Sequence, residues 1–257
     1  FARRTVDGLQ HGIHVSKRIG VSTDFDHHKE YQPGDPLKHM DWKVSARQDR
    51  YYVKRFIEDS SLTVRLVVDR SASMLQATEG PSKYLNACRL ASCLAYLILK
   101  EKDSAGLVIA SEDETLWLPP KSSSTHLVTI MQSLVSKDAA APDGLQSCLK
   151  AILDRAERKG LIIFISDMMY DPAPIQRELA RLQAYGHEVL LFQLRDETEE
   201  DFPFNRWVEF RDLENSATRH RLDAIPLKKI YREEYQALVN EWKEWAKKYN
   251  AHFVTCR

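Results

Sequence analysis

The amino-acid sequence predicts an α/β protein built on an open, doubly wound and mostly parallel sheet. Two segments, TVRLVVD at 63–69 and LIIFISD at 161–167, are continuous apolar runs that end in aspartate. Such runs are typical of parallel strands covered by helices on both faces. From residue 61 onward, strand-like segments alternate with segments of helical periodicity, which favours about six strands in the order 3-2-1-4-5-6.

The other elements follow from the same periodicities and from turn residues. Strands are expected at 105–111 (AGLVIAS), 114–120 (ETLWLPP), 187–194 (HEVLLFQL) and 251–257 (AHFVTCR), and helices at 81–102, 125–135, 144–159, 173–185 and 226–249. Gly160 and Gly186 end two of these helices. The acidic segment RDETEEDFP at 195–203 is expected to be a solvated loop, and RWVEF at 206–210 has strand character.

The first 60 residues differ from the rest of the chain. They are polar, rich in His and Asp, and contain YQPGDPLKHMDWKVSARQDRYYVKRF at 31–56. Pro-Gly-Asp-Pro is typical of a turn, because proline fixes φ and glycine allows positive φ. We therefore expect a separate N-terminal segment with β character at 1–60 and an α/β domain at 61–257.

Composition argues against two classes of partner. The 37 Lys and Arg residues balance 37 Asp and Glu residues, so no net field attracts nucleic acid or an anionic membrane. The most apolar segment, LASCLAYLIL at 90–99, is shorter than the roughly 20 residues of a membrane span. The opening FARRTVDG has no hydrophobic run, and the four cysteines lack metal-site spacing. We expect a cytoplasmic protein with reduced core cysteines and no membrane insertion.

Polar side chains follow two of the predicted buried strands. Asp69, Ser71 and Ser73 occupy alternate positions after the first strand, and Asp167 ends the fourth. In the order 3-2-1-4-5-6 these strands are neighbours, so their carboxyl ends lie at one edge of the sheet. Hard oxygen ligands of this kind suit Mg²⁺ or Mn²⁺. The alternative is that Asp69 and Ser71 only cap the following helix.

These motifs resemble those of a known family. DRSASM after the first strand and ISDMM after the fourth resemble the metal-ion-dependent adhesion site of von Willebrand factor A domains. The segment at 31–56 resembles the bacterial family catalogued as domain of unknown function fifty-eight, whose members pair a Y-x-PGD…DW…SAR segment with such a domain. The resemblance extends from about Lys29 to the end of the chain.

The resemblance implies both a site and a partner. Asp69, Ser71 and Ser73 would ligate Mg²⁺ or Mn²⁺ directly or through water, and Asp167 mainly through water. An acidic residue from a partner would complete the coordination. Members of the family resemble cytosolic adaptors of MoxR-type AAA+ ATPases rather than enzymes, which implies a non-enzymatic interaction module.

One position departs from the family pattern. The adhesion site usually takes a threonine from the loop before the helix that precedes the fourth strand. This chain reads APDGLQSCL at 141–149, which places Asp143 where the threonine would stand. Asp143 is therefore either an additional carboxylate ligand or a sign that the site has lost its metal.

Two other functions remain open at this stage. A Mg²⁺-dependent phosphatase could use Asp69 as its nucleophile on a similar sheet. Such enzymes place a second acid two residues later, where this chain has Ser71, and this weighs against the hypothesis. The chain also shows no nucleophile–base pair and no Walker-type phosphate loop. The third possibility is a structural scaffold with a degenerate metal site.

Overall fold

The computed structural model separates the chain into two units, Phe1–Ser61 and Leu62–Arg257. The structure describes residues 25–35, 37–48, 50–56, 61–75, 80–109, 115–135, 144–155, 159–204, 206–211 and 219–256. Within these residues, no helix combines the length and the apolar character that crossing a membrane requires.

The N-terminal unit contains an antiparallel strand pair. β1 (Phe25–Glu30) pairs with β2 (Tyr52–Phe56). Between them lie a 3₁₀ turn (Leu37–His39) and helix α1 (Trp42–Gln48). The β character expected for this segment is confirmed, although β1, with the sequence FDHHKE, has no apolar alternation that predicts a strand.

Two aspartates of the sequence block at 31–56 join the turn and the helix to these strands. Asp35 accepts a hydrogen bond from Lys29 Nζ at 3.1 Å. Asp41 accepts hydrogen bonds from backbone N–H groups in the first turn of α1. It also pairs with His28 Nε2 at 3.0 Å and with Lys54 Nζ at 3.3 Å. The His28 hydrogen bond, with help from Lys54, holds the pKa of Asp41 well below its usual range despite the opposing effect of burial.

The second unit contains the expected sheet. Its described strands in this sheet are β3 (Thr63–Val68), β4 (Ser104–Ile109), β5 (Leu116–Lys121), β6 (Leu161–Ser166), β7 (Glu188–Leu194) and β10 (His252–Cys256). Their spatial order is β10-β7-β6-β3-β4-β5, which is 3-2-1-4-5-6 when counted along the chain. β5 runs antiparallel to β4, and the other pairs are parallel. The prediction of a doubly wound, mostly parallel, von Willebrand A-like sheet is confirmed.

The strands β3 and β6 lie side by side at the centre of the sheet. Val64 is opposite Leu161 and Val68 is opposite Ile165 in a parallel register. All five residues from Val64 to Val68 and the whole of β6 are buried. By contrast, β5 carries Pro119 and Pro120 and lies at an edge, where a strand can lack N–H donors.

The described helices of this unit cover both faces of the sheet. They are α2 (Ala72–Leu75), α3 (Lys83–Lys100), α4 (Ser124–Val135), α5 (Gly144–Arg155), α6 (Pro172–Ala184), α7 (Glu197–Asp201) and α8 (Ala224–Lys248). Val67, Phe164 and Leu191 share one apolar core with residues of α5, α6 and α8, including Trp242. Helices α3 and α4 pack against each other, and α3 packs on β3 and β4.

Two segments differ from the expectations. The acidic stretch 195–203 is not a plain solvated loop, since it contains helix α7, which Asp196 caps by accepting from the Thr198 N–H at 2.8 Å. The strand-like RWVEF forms β8 (Trp207–Arg211), which pairs with β9 (Arg219–Asp223) in a separate two-stranded sheet. Three of the cysteines are buried free thiols, as expected, but Cys93 is exposed.

The contact between β3 and the start of β6 gives a prediction about stability. A Cβ atom on Gly160 would lie 2.0 Å from the carbonyl oxygen of Thr63, and backbone atoms at the sheet centre cannot move away cheaply. We expect Gly160→Ala to lower the free energy of unfolding by about 3 kcal/mol, the upper range for overpacking. Urea unfolding at equilibrium measures this change. The exposed neighbour Lys159 provides the control, because Lys159→Ala is expected to change stability by less than about 0.5 kcal/mol. Equal stability of Gly160→Ala and wild type would contradict the prediction.

Candidate functional site

Asp69 lies at the carboxyl end of β3 and is almost completely buried, with 1% of its surface exposed. Its backbone N–H donates to the carbonyl of Ile165 in β6 at 2.9 Å. Its Oδ1 accepts from the Ser71 N–H at 2.8 Å, and its Oδ2 accepts from Ser166 Oγ at 2.6 Å. Both carboxylate oxygens therefore have partners from the two central strands and the loop after β3.

The surroundings of Asp69 make its negative charge unfavourable. Burial raises the pKa of Asp69 to about 6, and the nearby carboxylate of Asp167 adds to the increase. The hydrogen bonds from Ser166 and Ser71 act in the opposite direction but do not cancel it. A carboxylate that is desolvated and close to a second carboxylate is stabilised by any cation that binds beside it.

Ser71 and Ser73 lie in the turn and short helix that follow Asp69. Ser71 is buried and Ser73 is partly buried, and their Oγ atoms are 3.0 Å apart. An octahedral Mg²⁺ with bonds of about 2.0–2.1 Å places neighbouring oxygen ligands about 2.9 Å apart. The spacing and the chemistry of these two hydroxyls therefore fit adjacent positions around one such ion.

Asp167 follows β6, the strand next to β3, and is also buried. Its Oδ1 accepts from the Met169 N–H at 3.2 Å. Its Oδ2 lies 2.7 Å from Lys83 Nζ. The residue after it, Met168, is buried and has a φ of 61°, a conformation that is uncommon for residues other than glycine. The loop after β6 thus turns sharply at the site.

Lys83 is a site residue that the sequence analysis missed. It is the first residue of α3, only 3% exposed, and its ammonium pairs with both Asp167 and Glu199. Burial opposes the charge on Lys83, but Asp167 and Glu199 outweigh this effect and raise its pKa. One signal was present in the sequence, because helical spacing places Lys83 on the same face as the buried Ala87 and Ala91.

Glu199 comes from the segment that was expected to be a solvated loop. It lies in α7, is partly buried, and reaches Lys83 from a position 116 residues away in the chain. Burial raises the pKa of Glu199, and the Lys83 ammonium opposes that increase. The neighbouring Glu200 pairs with Arg195. The correction has a physical reason: these carboxylates have cationic partners that local sequence does not show.

The structure brings together some of the predicted ligands. Asp69, Ser71 and Ser73 share one short segment, and Asp167 lies close enough to Asp69 to affect its pKa. Asp143 is outside the described residues. Within those that the structure does describe, no group of three or more His, Cys, Asp or Glu side chains is arranged to hold a metal, so an ion at this edge would rely on the serine hydroxyls as well.

Several uncharacterised bacterial proteins are similar in sequence. One from Mycobacterium bovis and one from Mycobacterium tuberculosis are each 29% identical over 221 residues, covering 84% of this chain and 69% of the relative. The Bacillus subtilis protein YeaD is 24% identical over 115 residues, covering 45% of this chain and 27% of its own length.

Solved structures also show distant similarity. BatB from Bacteroides thetaiotaomicron has a TM-score of 0.49 at 19% identity, covering 76% of this chain and 90% of that one. An aerotolerance-related membrane protein from Bacteroides fragilis gives 0.45 at 18% identity, covering 76% and 92%. The SpRpn10 VWA domain gives 0.41 at 12% identity, covering 76% and 88%.

The sequence profile of one family spans most of the chain, from residue 27 to residue 244. The match includes the block at 31–56 with its two structural aspartates, and it includes both strand ends that carry the candidate site. The chain belongs to the family described as "Protein of unknown function DUF58".

Proposed function

We propose that the protein is a non-enzymatic interaction module that binds its partner through a divalent cation, and that this partner is a MoxR-type AAA+ ATPase. The observation that carries the proposal is the pair of Ser71 and Ser73 hydroxyl oxygens, 3.0 Å apart beside the buried Asp69. A von Willebrand A-like sheet suggests an interaction module, and the strand-end oxygens suggest how it would bind.

The proposed ion is Mg²⁺ or Mn²⁺, held by side chains of this chain. Ser71 and Ser73 would ligate it, with Asp69 and Asp167 acting directly or through water. Asp143 is a further candidate because it directly precedes the first residue of α5, Gly144. When bound, the ion supplies a coordination position that a carboxylate from another protein can fill.

The burial of Asp69 supports a binding role over a purely structural one. A buried carboxylate without a cationic partner destabilises a fold, and within the described residues no Lys, Arg or His side chain forms an ion pair with Asp69. Such unfavourable groups concentrate at functional sites. A structural scaffold with a degenerate site would gain stability by replacing Asp69.

The hydrogen bonds of Asp69 argue against the phosphatase alternative. A nucleophilic carboxylate needs an oxygen directed at the substrate, whereas both oxygens of Asp69 already accept hydrogen bonds at 2.8 Å or less. The position two residues later is Ser71 and supplies no general acid. We therefore propose a cytoplasmic adaptor without catalytic turnover.

The first prediction concerns binding to a MoxR-type ATPase from the same organism. Wild-type protein should bind it at least about tenfold more tightly in Mg²⁺ than in chelator, since a partner carboxylate would complete the coordination. The double variant Ser71→Ala with Ser73→Ala should lose this difference. It removes two hydroxyls and keeps the backbone hydrogen bond to Asp69. Biolayer interferometry with immobilised protein measures the dissociation constants.

The control for the serine variant is Ser123→Ala, which changes an exposed hydroxyl outside the site and should retain the Mg²⁺ effect. Binding that is equally tight in Mg²⁺ and in chelator would favour the scaffold over the metal-dependent module. Hydrolysis of p-nitrophenyl phosphate that requires both Mg²⁺ and Asp69 would favour the phosphatase.

The second prediction concerns the stability of the metal-free protein. The pKa of Asp69 is about 6 in the folded state against an ordinary 3.8, so the folded state binds the proton more tightly. The stability that depends on this group is therefore complete below about pH 4 and is lost as pH rises to about 6. The difference of about two units corresponds to about 3 kcal/mol.

Asp69→Asn removes this charge and should raise the free energy of unfolding at pH 7 by about 1–3 kcal/mol. At pH 4 the gain should disappear, because Asp69 is then protonated in both states. Urea unfolding in chelator at the two pH values tests this. Asp154→Asn at an exposed site on α5 should change little at either pH. An Asp69→Asn variant that is no more stable than wild type at pH 7 would disprove the assigned penalty.

A further inference from the structure

Lys83 stands in an unfavourable place for a lysine. It occupies the first position of the 18-residue helix α3, where the helix dipole repels positive charge. Its side chain is also 97% removed from solvent, since only 3% is exposed. Both effects disfavour an ammonium group there, so the position requires compensating negative charge.

Two carboxylates supply that charge, and one of them belongs to the candidate metal site. Lys83 Nζ is 2.7 Å from Asp167 Oδ2 and in close contact with Glu199 Oε1. Asp167 Oδ1 already accepts from the Met169 N–H. The ammonium therefore takes up much of the negative charge that Asp167 could offer to another cation.

Asp69 has the opposite environment. It is held by hydrogen bonds from Ser71 and Ser166, and no cationic side chain of the described residues pairs with it. The two strand-end carboxylates thus differ in kind: the one on β6 has a built-in cation, and the one on β3 does not. A divalent ion beside Ser71 and Ser73 would be drawn to Asp69 and repelled by Lys83, because both interactions are strong at short range in a partly desolvated site.

We propose that Lys83 is an internal competitor of the divalent cation: its ammonium holds Asp167 and thereby keeps the affinity of the site for the ion low in the absence of a partner. This inference rests on the metal-dependent function proposed above. Lys83 acts through Asp167 and is a positioning residue. Its consequence is a coupling, since a partner carboxylate adds the negative charge that Lys83 takes away, and metal and partner then bind more tightly together than either does alone.

The test measures metal binding to the purified chain without any partner. Calorimetric titration of Mn²⁺ into wild type and Lys83→Met compares the two dissociation constants, and Met keeps the length of the side chain without its charge. Lys83→Met should bind Mn²⁺ about tenfold more tightly or better, because the repulsion is gone and Asp167 becomes available. Lys100→Met, at the exposed far end of α3, should bind Mn²⁺ as wild type does.

A second variant guards against misfolding and against a simple effect of net charge. Lys83→Met alone leaves two carboxylates without their cation, which can destabilise a buried cluster. The double variant Lys83→Met with Glu199→Gln has the net charge of wild type and leaves only Asp167 without its ammonium. It should also bind Mn²⁺ more tightly than wild type, and circular dichroism checks that each variant is folded.

The outcomes separate this inference from the function on which it rests. If wild type binds Mn²⁺ and both Lys83 variants bind it equally well or more weakly, the competition is wrong and the metal-dependent function stands. If neither wild type nor the folded variants bind Mn²⁺, both proposals are overturned. Tighter binding by both Lys83 variants supports the competition.

Discussion

The parallel pairing of β3 with β6 is the constraint on which the candidate site depends. Because Val68 lies opposite Ile165, the next residues on both strands, Asp69 and Ser166 with Asp167, emerge at one edge of the sheet. The pairing is close enough that the glycine before β6 has no room for a side chain against Thr63. The Asp69 N–H continues the pairing for one more residue through its bond to Ile165. Sheet geometry therefore places two carboxylates side by side before any ligand is considered.

Placing two carboxylates at a buried edge creates an electrostatic cost, which the protein offsets in two different ways. Around Asp69 the response consists of neutral donors, the Ser166 hydroxyl and the Ser71 N–H, and these leave its pKa raised. Around Asp167 the response is a full positive charge from Lys83. A hydrogen bond from a neutral donor compensates a buried charge less than an ammonium does. The uncompensated charge lies on the β3 side, next to the paired serine hydroxyls, and this is where a cation has most to contribute.

The sequence predicted the parts of this arrangement that depend on local pattern. Continuous apolar runs identify β3 and β6 as central strands, and the strand order then brings Asp69 and Asp167 together. It could not predict the Lys83–Glu199 contact, which joins residues 116 positions apart from a helix start and an acidic segment. It also missed β1, because FDHHKE is polar on both faces and is a strand only through its pairing with β2. Contacts of this kind depend on tertiary structure, and propensity and periodicity carry no record of them.

The block that identifies the family most clearly has a structural explanation within the N-terminal unit. Asp35 is bound to Lys29, and Asp41 caps α1 while pairing with His28 and Lys54. Ser45 links the same helix to β2 by accepting from the Tyr52 N–H at 3.0 Å. Since these polar groups satisfy one another, the block specifies how its own unit folds. The unbalanced charge that invites a ligand lies instead among residues with less conspicuous sequence signals, where a buried aspartate is followed by two serines and the adjacent strand is already paired with a lysine.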